Sequence, residues 1–494
     1  MPRPLTLPLR APGRSLAVLA LLVASTLSAA TITVNTTTDL GPADDGACEL
    51  REAVTAANSD TASGAAAGEC PAGSGDDVIA FDLALPATIA LNFGELALTE
   101  NATVVGPGAG ALTISAQGFS RVFVLWQPAL VDPRAYELSG LRLTGGFAIA
   151  AYQGFGANDG GAILAKFATL TLRDLVFEDN FAQDAGGAIF WEGNDATSTV
   201  ERSIFRRNHA TNVVLTGGGG AIAADGGNLT VRDSLFEANA AEGDDAAFAF
   251  GDADGGAISI WATGSLVVER STFSGNTARG AGGAIAIGSF GATTYDVPGT
   301  IRHSTFVGNQ ADTDGDGDRD GGGIRVFDNL ATTTLTDSLV AGNTDQAAIP
   351  APDIAGAGLL SGGHDLIGVR RGTAAANFPA GLPNANGDWV GSNAAPLDAG
   401  VLPLADNGGP TPTVALDLAA ASPAIDHGSC PGELADQRGY LNPSTLARPV
   451  DEPTIADTGD GCDIGAFELG ALAPALFADD FESGDTSLWS STFP

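Results

Sequence analysis

An acidic loop is the stretch whose residue types and spacing most clearly suggest chemistry. The sequence DTDGDGDRDGGG runs from Asp312 to Gly323. Its carboxylates stand at alternate positions: Asp312, Asp314, Asp316, Asp318 and Asp320. Alternate carboxylates, bent round a hard cation by a glycine, are a calcium-ligand pattern. Gly323 stands at the twelfth position, where such loops usually supply a bidentate Glu. The loop therefore predicts a calcium site, and a solvated acidic loop is the alternative.

A second acidic stretch lies earlier in the chain. It contains four carboxylates: Asp244, Asp245, Asp252 and Asp254. Both stretches are insertions in a tandem repeat, and insertions in a solenoid project from one side. We therefore expect the two stretches to be neighbours and to form one face that binds cations and a ligand.

Residues for other chemistry are sparse. Arg302 and His303 lie on the coil before the acidic loop and are the weak catalytic candidates that the sequence offers. Both also fit a structural charge pattern. The remaining histidines are isolated, and none belongs to a Ser-His-Asp pattern of the kind that nucleophilic catalysis uses. Trp191 and Trp261 follow repeated glycine pairs, and an exposed aromatic row would stack on sugar rings. Core packing is the alternative for both.

A tandem repeat must position these residues. Its phrase, Ser-x-Phe-x-x-Asn in most copies, places Asn at intervals of 28 to 37 positions: Asn180, Asn208, Asn239, Asn276, Asn309 and Asn343. A Gly-Gly-Ala-Ile phrase precedes each copy, although Gly322-Gly323-Ile324 lacks the Ala. Short alternating runs such as LTVRDSLF predict strands. Units of this length, with so much turn, fit one coil of a parallel β-helix better than a propeller blade.

Charges in front of the repeated phrase alternate in sign from copy to copy. One column reads Arg173, Glu201, Arg232, Glu269 and Arg302. The next column reads Asp174, Arg202, Asp233, Arg270 and His303. Such alternation is useful only where equivalent residues are neighbours, about 4.8 Å apart in stacked strands. The charges therefore predict in-register stacking of successive coils.

The Phe and the Asn of the repeat should form two further columns. The rings of Phe177, Phe205, Phe236, Phe273 and Phe306 should stack in the interior. Each Asn should lie at the following turn and hydrogen-bond to backbone groups and to the Asn above and below. Because a residue repeated in every coil is a poor catalyst, the Asn column is structural. The sequence thus predicts an all-β parallel β-helix.

The first coils need a cap, because an open sheet edge pairs with other chains. The segment CELREAVTAAN places Leu50, Ala53, Val54 and Ala57 on one helical face, which predicts a short capping helix. The chain then divides into a signal peptide (1–30), cap and irregular coils (31–135), regular repeats (136–345), C-terminal coils and segment (346–469) and a tail (470–494).

The N-terminus and the composition suit an exported protein. A basic region with Arg3, Arg10 and Arg14 precedes a short apolar run, and small residues predict cleavage after Ala30. No later run approaches membrane length, so we expect no transmembrane segment in the mature chain. The net charge of −37 excludes nucleic acid and anionic membrane as partners and favours divalent cations.

Four cysteines allow three disulfide pairings. Export makes disulfides plausible, and the local pairs Cys48–Cys70 and Cys430–Cys462 are expected because each pair lies within its own segment. Neither pair is C-x-x-C, which argues against zinc.

Several segments resemble known families. CELREAVTAAN is similar to the CSLREA-type N-terminal segment of exported bacterial β-helix proteins, with Glu49 in place of Ser. The phrases GHDLIG, ADNGGPTPT, SPAIDHG, DQRG and CDIGAFE, between Gly363 and Glu468, resemble the choice-of-anchor Q segment, which implies a C-terminal closure of the β-helix. The acidic loop resembles calcium loops of the dockerin and thrombospondin type 3 kind. The resemblances imply a right-handed, pectate-lyase-like β-helix and supply no catalytic residues.

Two classes of function compete. The first is an exported noncatalytic surface or secreted β-helix, adhesin-like and monomeric, that binds a glycan or a surface protein and is stabilised by calcium. The second is a polysaccharide lyase or glycoside hydrolase, since pectin-cleaving enzymes use this fold. A hydrolase would need paired carboxylates about 5–9.5 Å apart. The Arg-x-Lys phrase of pectin hydrolases is absent because Lys166 is the one lysine, so the sequence favours the noncatalytic class.

Overall fold

The structure is a computed structural model that describes residues 29–126, 133–149, 158–211, 218–243, 253–290, 293–315, 320–327, 332–346, 351–433, 435–440, 452–457 and 459–471. Through these residues the chain winds into coils whose strands pair in parallel with their counterparts in the next coil. The predicted all-β parallel β-helix is therefore confirmed. The predicted signal peptide up to residue 28 and the tail beyond residue 471 lie outside the described residues.

Three parallel sheets form the sides of the described coils. The long sheet contains Thr31–Val34, Asp77–Phe81, Leu96–Leu98, Ala102–Val105, Phe123–Trp126, Arg134–Ser139, Ile163–Lys166, Ala168–Arg173, Ile189–Glu201, Ile222–Arg232, Ile258–Glu269, Ile285–Ile287, Gly299–Arg302, Ile324–Val326, Thr333–Thr336, Ile354–Ala355 and Leu359–Gly363. The second sheet contains Ala87–Ala90, Leu112–Ser115, Arg142–Thr144, Val176–Glu178, Ile204–Arg206, Leu235–Glu237, Thr272–Ser274, Thr305–Val307, Leu339–Ala341, Leu366–Ile367 and Trp389–Val390. The short sheet contains Phe147–Ala148, Phe181–Ala182, His209–Ala210, Ala240–Ala241 and Thr277–Ala278. A small antiparallel pair, Ser289–Phe290 with Thr293–Thr294, and a 3-10 turn, Leu418–Ala420, complete the described elements.

The predicted capping helix is present at Leu50–Ser59. Its start is fixed by a capping box, in which the side chain of Glu52 accepts a hydrogen bond from the backbone N–H of Glu49 (3.1 Å). The apolar face that includes Ala53 and Val54 is buried against the first strands of the long sheet. The helix thereby covers the first coils, as the sequence predicted.

Left-handed residues turn each regular coil at three corners. After the long sheet they are Asp174, Arg202, Asp233, Arg270, His303 and Asp337. After the second sheet they are Asp179, Arg207, Ala238, Gly275, Gly308 and Gly342. Before the next coil they are Gly160, Gly186, Gly219, Gly255, Gly282 and Gly321. At this third corner a Cβ on the neighbouring Gly187 would lie 2.2 Å from the carbonyl oxygen of Gly220, so stacked coils leave no room for a side chain there.

The Phe column lies in the interior, as predicted. Successive rings from Phe177 to Phe306 are 4.6–4.7 Å apart and nearly parallel, and all are fully buried. The contact between equivalent rings confirms the in-register stacking that the repeat predicted.

The Asn column forms a continuous hydrogen-bond ladder. Asn239 is typical: its Nδ2 donates to Asn276 Oδ1 (2.9 Å) and to the Phe205 carbonyl (2.9 Å), and its Oδ1 accepts from Asn208 Nδ2 (2.9 Å). A parallel Ser ladder runs beside it, in which each backbone N–H donates to the Ser hydroxyl of the next coil. Each ladder ends on a buried carboxylate: Asp353 follows Asn343 in one, and Asp365 follows Ser338 in the other.

The predicted charge column is also present. Arg232 Nε lies 2.9 Å from Glu269 Oε2, and Arg302 lies 2.7 Å from Glu269 Oε1. In the neighbouring column, Arg270 Nε lies 2.7 Å from Asp233 Oδ1. Because these pairs are partly exposed, each contributes about 0–1 kcal/mol and chiefly fixes the register.

The C-terminal segment lies along the side of the β-helix. The side chain of Gln437 hydrogen-bonds to the Thr272 hydroxyl (2.6 Å) and to the Ser234 carbonyl (3.2 Å), well back from the last coil. Glu433 meets Arg270 (2.9 Å) and Arg302 (3.6 Å) at the end of the charge columns. The C-terminal segment thus covers part of the side of the β-helix as well as its end.

The outward positions of the second sheet explain this docking. In the outward column that includes Arg142, the members from Leu235 onward are uncharged and buried: Leu235, Thr272, Thr305, Leu339 and Leu366. Earlier equivalents, such as Arg142 and Ile204, are partly exposed. A buried uncharged column of this kind needs a cover, and the C-terminal segment contacts it at Thr272 and Thr305.

Candidate functional site

The predicted calcium loop is only partly described. Asp316 and Asp318 lie outside the described residues. The Oδ2 of Asp314 accepts a hydrogen bond from Arg279 Nε (2.8 Å), and Asp320 pairs with Arg325. Asp312 is fully buried where the loop begins. Calcium binding stays a prediction, and a cation there would compete with two arginines.

The second acidic stretch has one described member, Asp254; Asp244, Asp245 and Asp252 lie outside the described residues. Asp254 is buried, and its Oδ1 accepts a hydrogen bond from the backbone N–H of Ala281 (2.8 Å). This contact gives Asp254 a role in the turn of the next coil. The backbone contacts of Gly280 with Ala253 and Asp312 bring the described ends of the two acidic stretches to the same corner.

Arg302 and His303 occupy positions in the charge columns. Arg302 pairs with Glu269 and Glu433. His303 is buried, has a left-handed backbone (φ 46°), and donates its backbone N–H to Thr336 (3.1 Å). These contacts belong to coil-to-coil packing, which is the structural alternative that the sequence left open.

The predicted glycan-stacking role of Trp191 and Trp261 is wrong for this structure. Trp191 points into the interior, is 1% exposed, and donates its indole N–H to the Ala168 carbonyl (2.7 Å). Trp261 lies on the outer face of the long sheet but is 3% exposed and packs near Phe190. Neither ring presents a face to solvent. The prediction failed because position after a glycine pair does not determine which way a side chain points.

Both predicted disulfides, Cys48–Cys70 and Cys430–Cys462, are present. Within the described part of the chain, Cys430, Asp460 and Cys462 form a group close enough to hold a metal ion. Since both sulfurs are bonded to each other, neither is a thiolate that could bind zinc.

A polar row that the sequence did not predict crosses the outer face of the long sheet. Pairing in register places five residues side by side on successive coils: Trp126, Lys166, Glu192, Asp225 and Trp261. Lys166 Nζ lies 3.7 Å from Glu192 Oε2 and 5.8 Å from the centre of the Trp126 ring. Each member stands three residues after a strand's first apolar residue, and this shared offset is the signal that could have revealed the row.

The polar row is electrostatically unusual. Burial lowers the pKa of Lys166, although Glu192 and Asp159 oppose this shift. Burial raises the pKa of the nearby Asp159 to about 6. Burial, then the charge of Glu192, raises the pKa of Asp225, which also accepts a hydrogen bond from Trp261. Perturbed groups gathered in one place mark a candidate functional site.

A second unpredicted feature is an aromatic row on the short sheet. Phe147 and Phe181 are paired in register and stack with ring centroids 5.0 Å apart. His209 follows on the next coil, 5.5 Å from Phe181 and edge-on to it. All three side chains are partly exposed. In the sequence, several insertions follow the strands of this sheet and precede the next glycine pair, so the row lies near the residues at which they begin.

A groove of about 670 Å³ lies between the last coils and the C-terminal segment. Its lining is mainly apolar and includes Val307, Ala341 and Leu397. Asp353, the end of the Asn ladder, also lines it, and burial raises the pKa of Asp353 to about 7. The groove is therefore an apolar cleft with one carboxyl that titrates near neutrality.

Comparison with known families supports the class of protein that the coils define. Residues 156–367 match the family model described as the right handed beta helix region. Together with the parallel sheets, this match makes the chain a right-handed parallel β-helix protein, as predicted. The resemblances to the CSLREA-type and choice-of-anchor Q segments stay predictions.

Among curated proteins, the chain is similar to the probable autotransporter YfaL of Escherichia coli (strain K12). The two are 36% identical over 85 residues, which is 17% of this chain and 7% of that protein. The chain thus matches a small fraction of its relative's length. No solved structure matches the chain significantly. Within the described residues, no helix is long and apolar enough to span a membrane.

Proposed function

We propose that this protein is an exported, noncatalytic β-helix that acts at the cell surface or in secreted form as an adhesin-like binding protein. The fold and the similarity to a probable autotransporter support this class. The predicted signal sequence, with its basic region before an apolar run, supports export.

The observation that carries the proposal is the aromatic row beside the insertions. A regular β-helix offers long flat sides, and insertions at one corner build a binding edge on them. Phe147, Phe181 and His209 place aromatic groups along this edge at roughly the spacing of the coils. Partly exposed aromatic side chains offer flat apolar surface that a sugar ring can contact, so a glycan is the proposed ligand.

A glycan array, run with and without calcium, tests this proposal. We expect wild-type protein to bind a defined set of glycans and Phe181→Ala to lose most of that binding. Phe119→Ala is the matched control, because Phe119 is 74% exposed and lies outside the row. Equal binding by both variants would remove the aromatic row from the proposal.

Assays for reducing sugars and for unsaturated products, run on the glycans that bind, test the noncatalytic part. We expect neither product to appear above background. Release of either would instead favour a polysaccharide lyase or glycoside hydrolase.

Calcium binding by the acidic loop is a further part of the proposal. The alternate carboxylates from Asp312 to Asp320 support it, and the pairing of Asp314 with Arg279 implies weak binding. Calcium that binds only the folded protein should raise its melting temperature. We expect a smaller rise for Asp314→Ala than for wild type or for Asp296→Ala, an exposed acid outside the loop. Equal rises in all three would contradict a calcium site here.

A further inference from the structure

Lys166 and Glu192 face each other on adjacent coils in an unusual way. They are direct register partners in the long sheet, and their side chains are 4% and 16% exposed. Nζ and Oε2 are 3.7 Å apart, which is beyond hydrogen-bond distance. Oε2 is buried and accepts no hydrogen bond. An amine and a carboxylate are thus held together with little water between them.

The surroundings favour uncharged groups. Leu164 and Phe190 precede this pair by two residues on the same outer face and are buried in an apolar cluster. Trp126 lies on the other side of Lys166. In such a site the burial that lowers the pKa of Lys166 makes its neutral, nucleophilic form accessible.

We propose that Lys166 Nζ and the Glu192 side-chain carboxyl condense into an intramolecular isopeptide bond that joins the two coils. Nζ attacks Cδ of Glu192, the new C–N bond forms, and one C–O bond breaks. Starting from ammonium and carboxylate, two of the three ammonium protons leave with that oxygen as water. The third stays on the amide nitrogen. No oxidant or reductant is needed.

Asp225 is placed to carry the protons in this step. It is the register partner of Glu192 on the following coil, so it lies beside the carboxyl that loses its oxygen. Burial and the charge of Glu192 raise the pKa of Asp225, which favours the protonated form that a proton donor needs. Asp159 is a second acid with a raised pKa near Lys166.

Such a bond would complement the disulfides. Cys48–Cys70 fixes the N-terminal cap, and Cys430–Cys462 fixes the C-terminal segment. The Lys166–Glu192 bond would join two of the regular coils between them. Unlike a disulfide, it would resist reducing agents.

The intact mass of the purified full-length protein tests this proposal. After allowance for signal-peptide cleavage and the two disulfides, we expect a mass lower than the sequence mass by one water. Fragment mapping should then recover a branched peptide that joins Lys166 to Glu192. A wild-type mass equal to the sequence mass would overturn the proposal.

Three variants sharpen the test, each checked for folding by circular dichroism. Lys166→Arg should restore the full mass, and a persistent loss of water would overturn the proposal. Glu192→Gln should form the same bond with loss of ammonia, since the amide nitrogen becomes the leaving group. Folded Asp225→Asn should retain the full mass, and bond formation at the wild-type rate would overturn the role given to Asp225.

Discussion

The side-chain amide of Asn239 uses all of its hydrogen-bonding capacity within the wall of the β-helix. It donates to two oxygens, of Phe205 and Asn276, and accepts from the backbone and side-chain nitrogens of Asn208. An amide so fully occupied is a structural group. The same holds for its equivalents, because each rung repeats these contacts.

Replacing Asn239 by Asp should therefore destabilise the protein. The new carboxylate oxygen would face the oxygens of Phe205 and Asn276, so two buried hydrogen bonds would be replaced by contacts between acceptors. Each should cost about 1–3 kcal/mol of unfolding free energy. Chemical denaturation measures this loss, with Asn386→Asp as an exposed control. Similar stability of the two variants would show that the ladder is not formed.

Asp365 makes the stability of the folded protein depend on pH. Burial, then the neighbouring carboxyl of Asp388, raises the pKa of Asp365 well above its ordinary value. The native state then keeps a proton that the unfolded chain has lost, so stability falls as pH rises above the unfolded-state pKa of about 3.9. Below that pH, both states are protonated and the stability is fully present.

Asp365→Asn should remove this loss of stability at high pH. The amide preserves the acceptor for the Ser338 N–H and mimics the protonated carboxyl toward Asp388. We expect a higher melting temperature than wild type at pH 8 and little difference at pH 4. Parallel pH profiles of the two proteins, obtained by thermal unfolding, would contradict the raised pKa.

At the scale of the element, one coil is held to the next mainly by its interior column. Phe236 lies between Phe205 and Phe273, with centroids 4.7 Å from each. Truncation to Ala removes both ring contacts and leaves a cavity, so Phe236→Ala should cost about 3–5 kcal/mol. Phe119→Ala, at an exposed position, should change stability by less than about 0.5 kcal/mol. Chemical denaturation of both variants compares them, and equal small losses would place Phe236 outside the core.

The columns could be predicted from sequence because each repeats one residue type, or alternates opposite charges, at one offset. Phe177, Asn180 and Arg173 keep their places in successive units, and a parallel stack requires only that register. The polar row was missed because its members differ in type from Trp126 to Trp261. Their shared offset was visible, but no repeated chemistry drew attention to it.

Trp191 was misplaced for a related reason. In a strand, a shift of one residue moves a side chain to the other face. Trp191 stands one residue before Glu192, so it points inward while Glu192 points outward. Counting from the glycine pair without assigning faces could not separate them.

At the scale of the whole molecule, the C-terminal segment acts as a cover. Its path could not be predicted from its sequence phrases. Gln437 hydrogen-bonds to Ser234 and Thr272, which lie 203 and 165 positions earlier in the chain. The feature of the sequence that indicates this docking lies in the second sheet, which the segment covers. The outward column of the second sheet changes from Arg142 to uncharged residues such as Leu235 and Leu339, and such a face needs covering.

Trapping a disulfide between neighbouring coils tests the central claim, that equivalent side chains stack in register, most directly. Glu237 and Ser274 are register partners on the second sheet, and Val307 is the partner of Ser274 on the coil beyond. Stacked parallel strands are about 4.8 Å apart, within reach of a disulfide, whereas two coils span roughly 9.6 Å. Oxidation should bond Glu237→Cys to Ser274→Cys and should not bond Glu237→Cys to Val307→Cys, as read by peptide mapping. A bond in the second pair, or none in the first, would contradict the stacked β-helix.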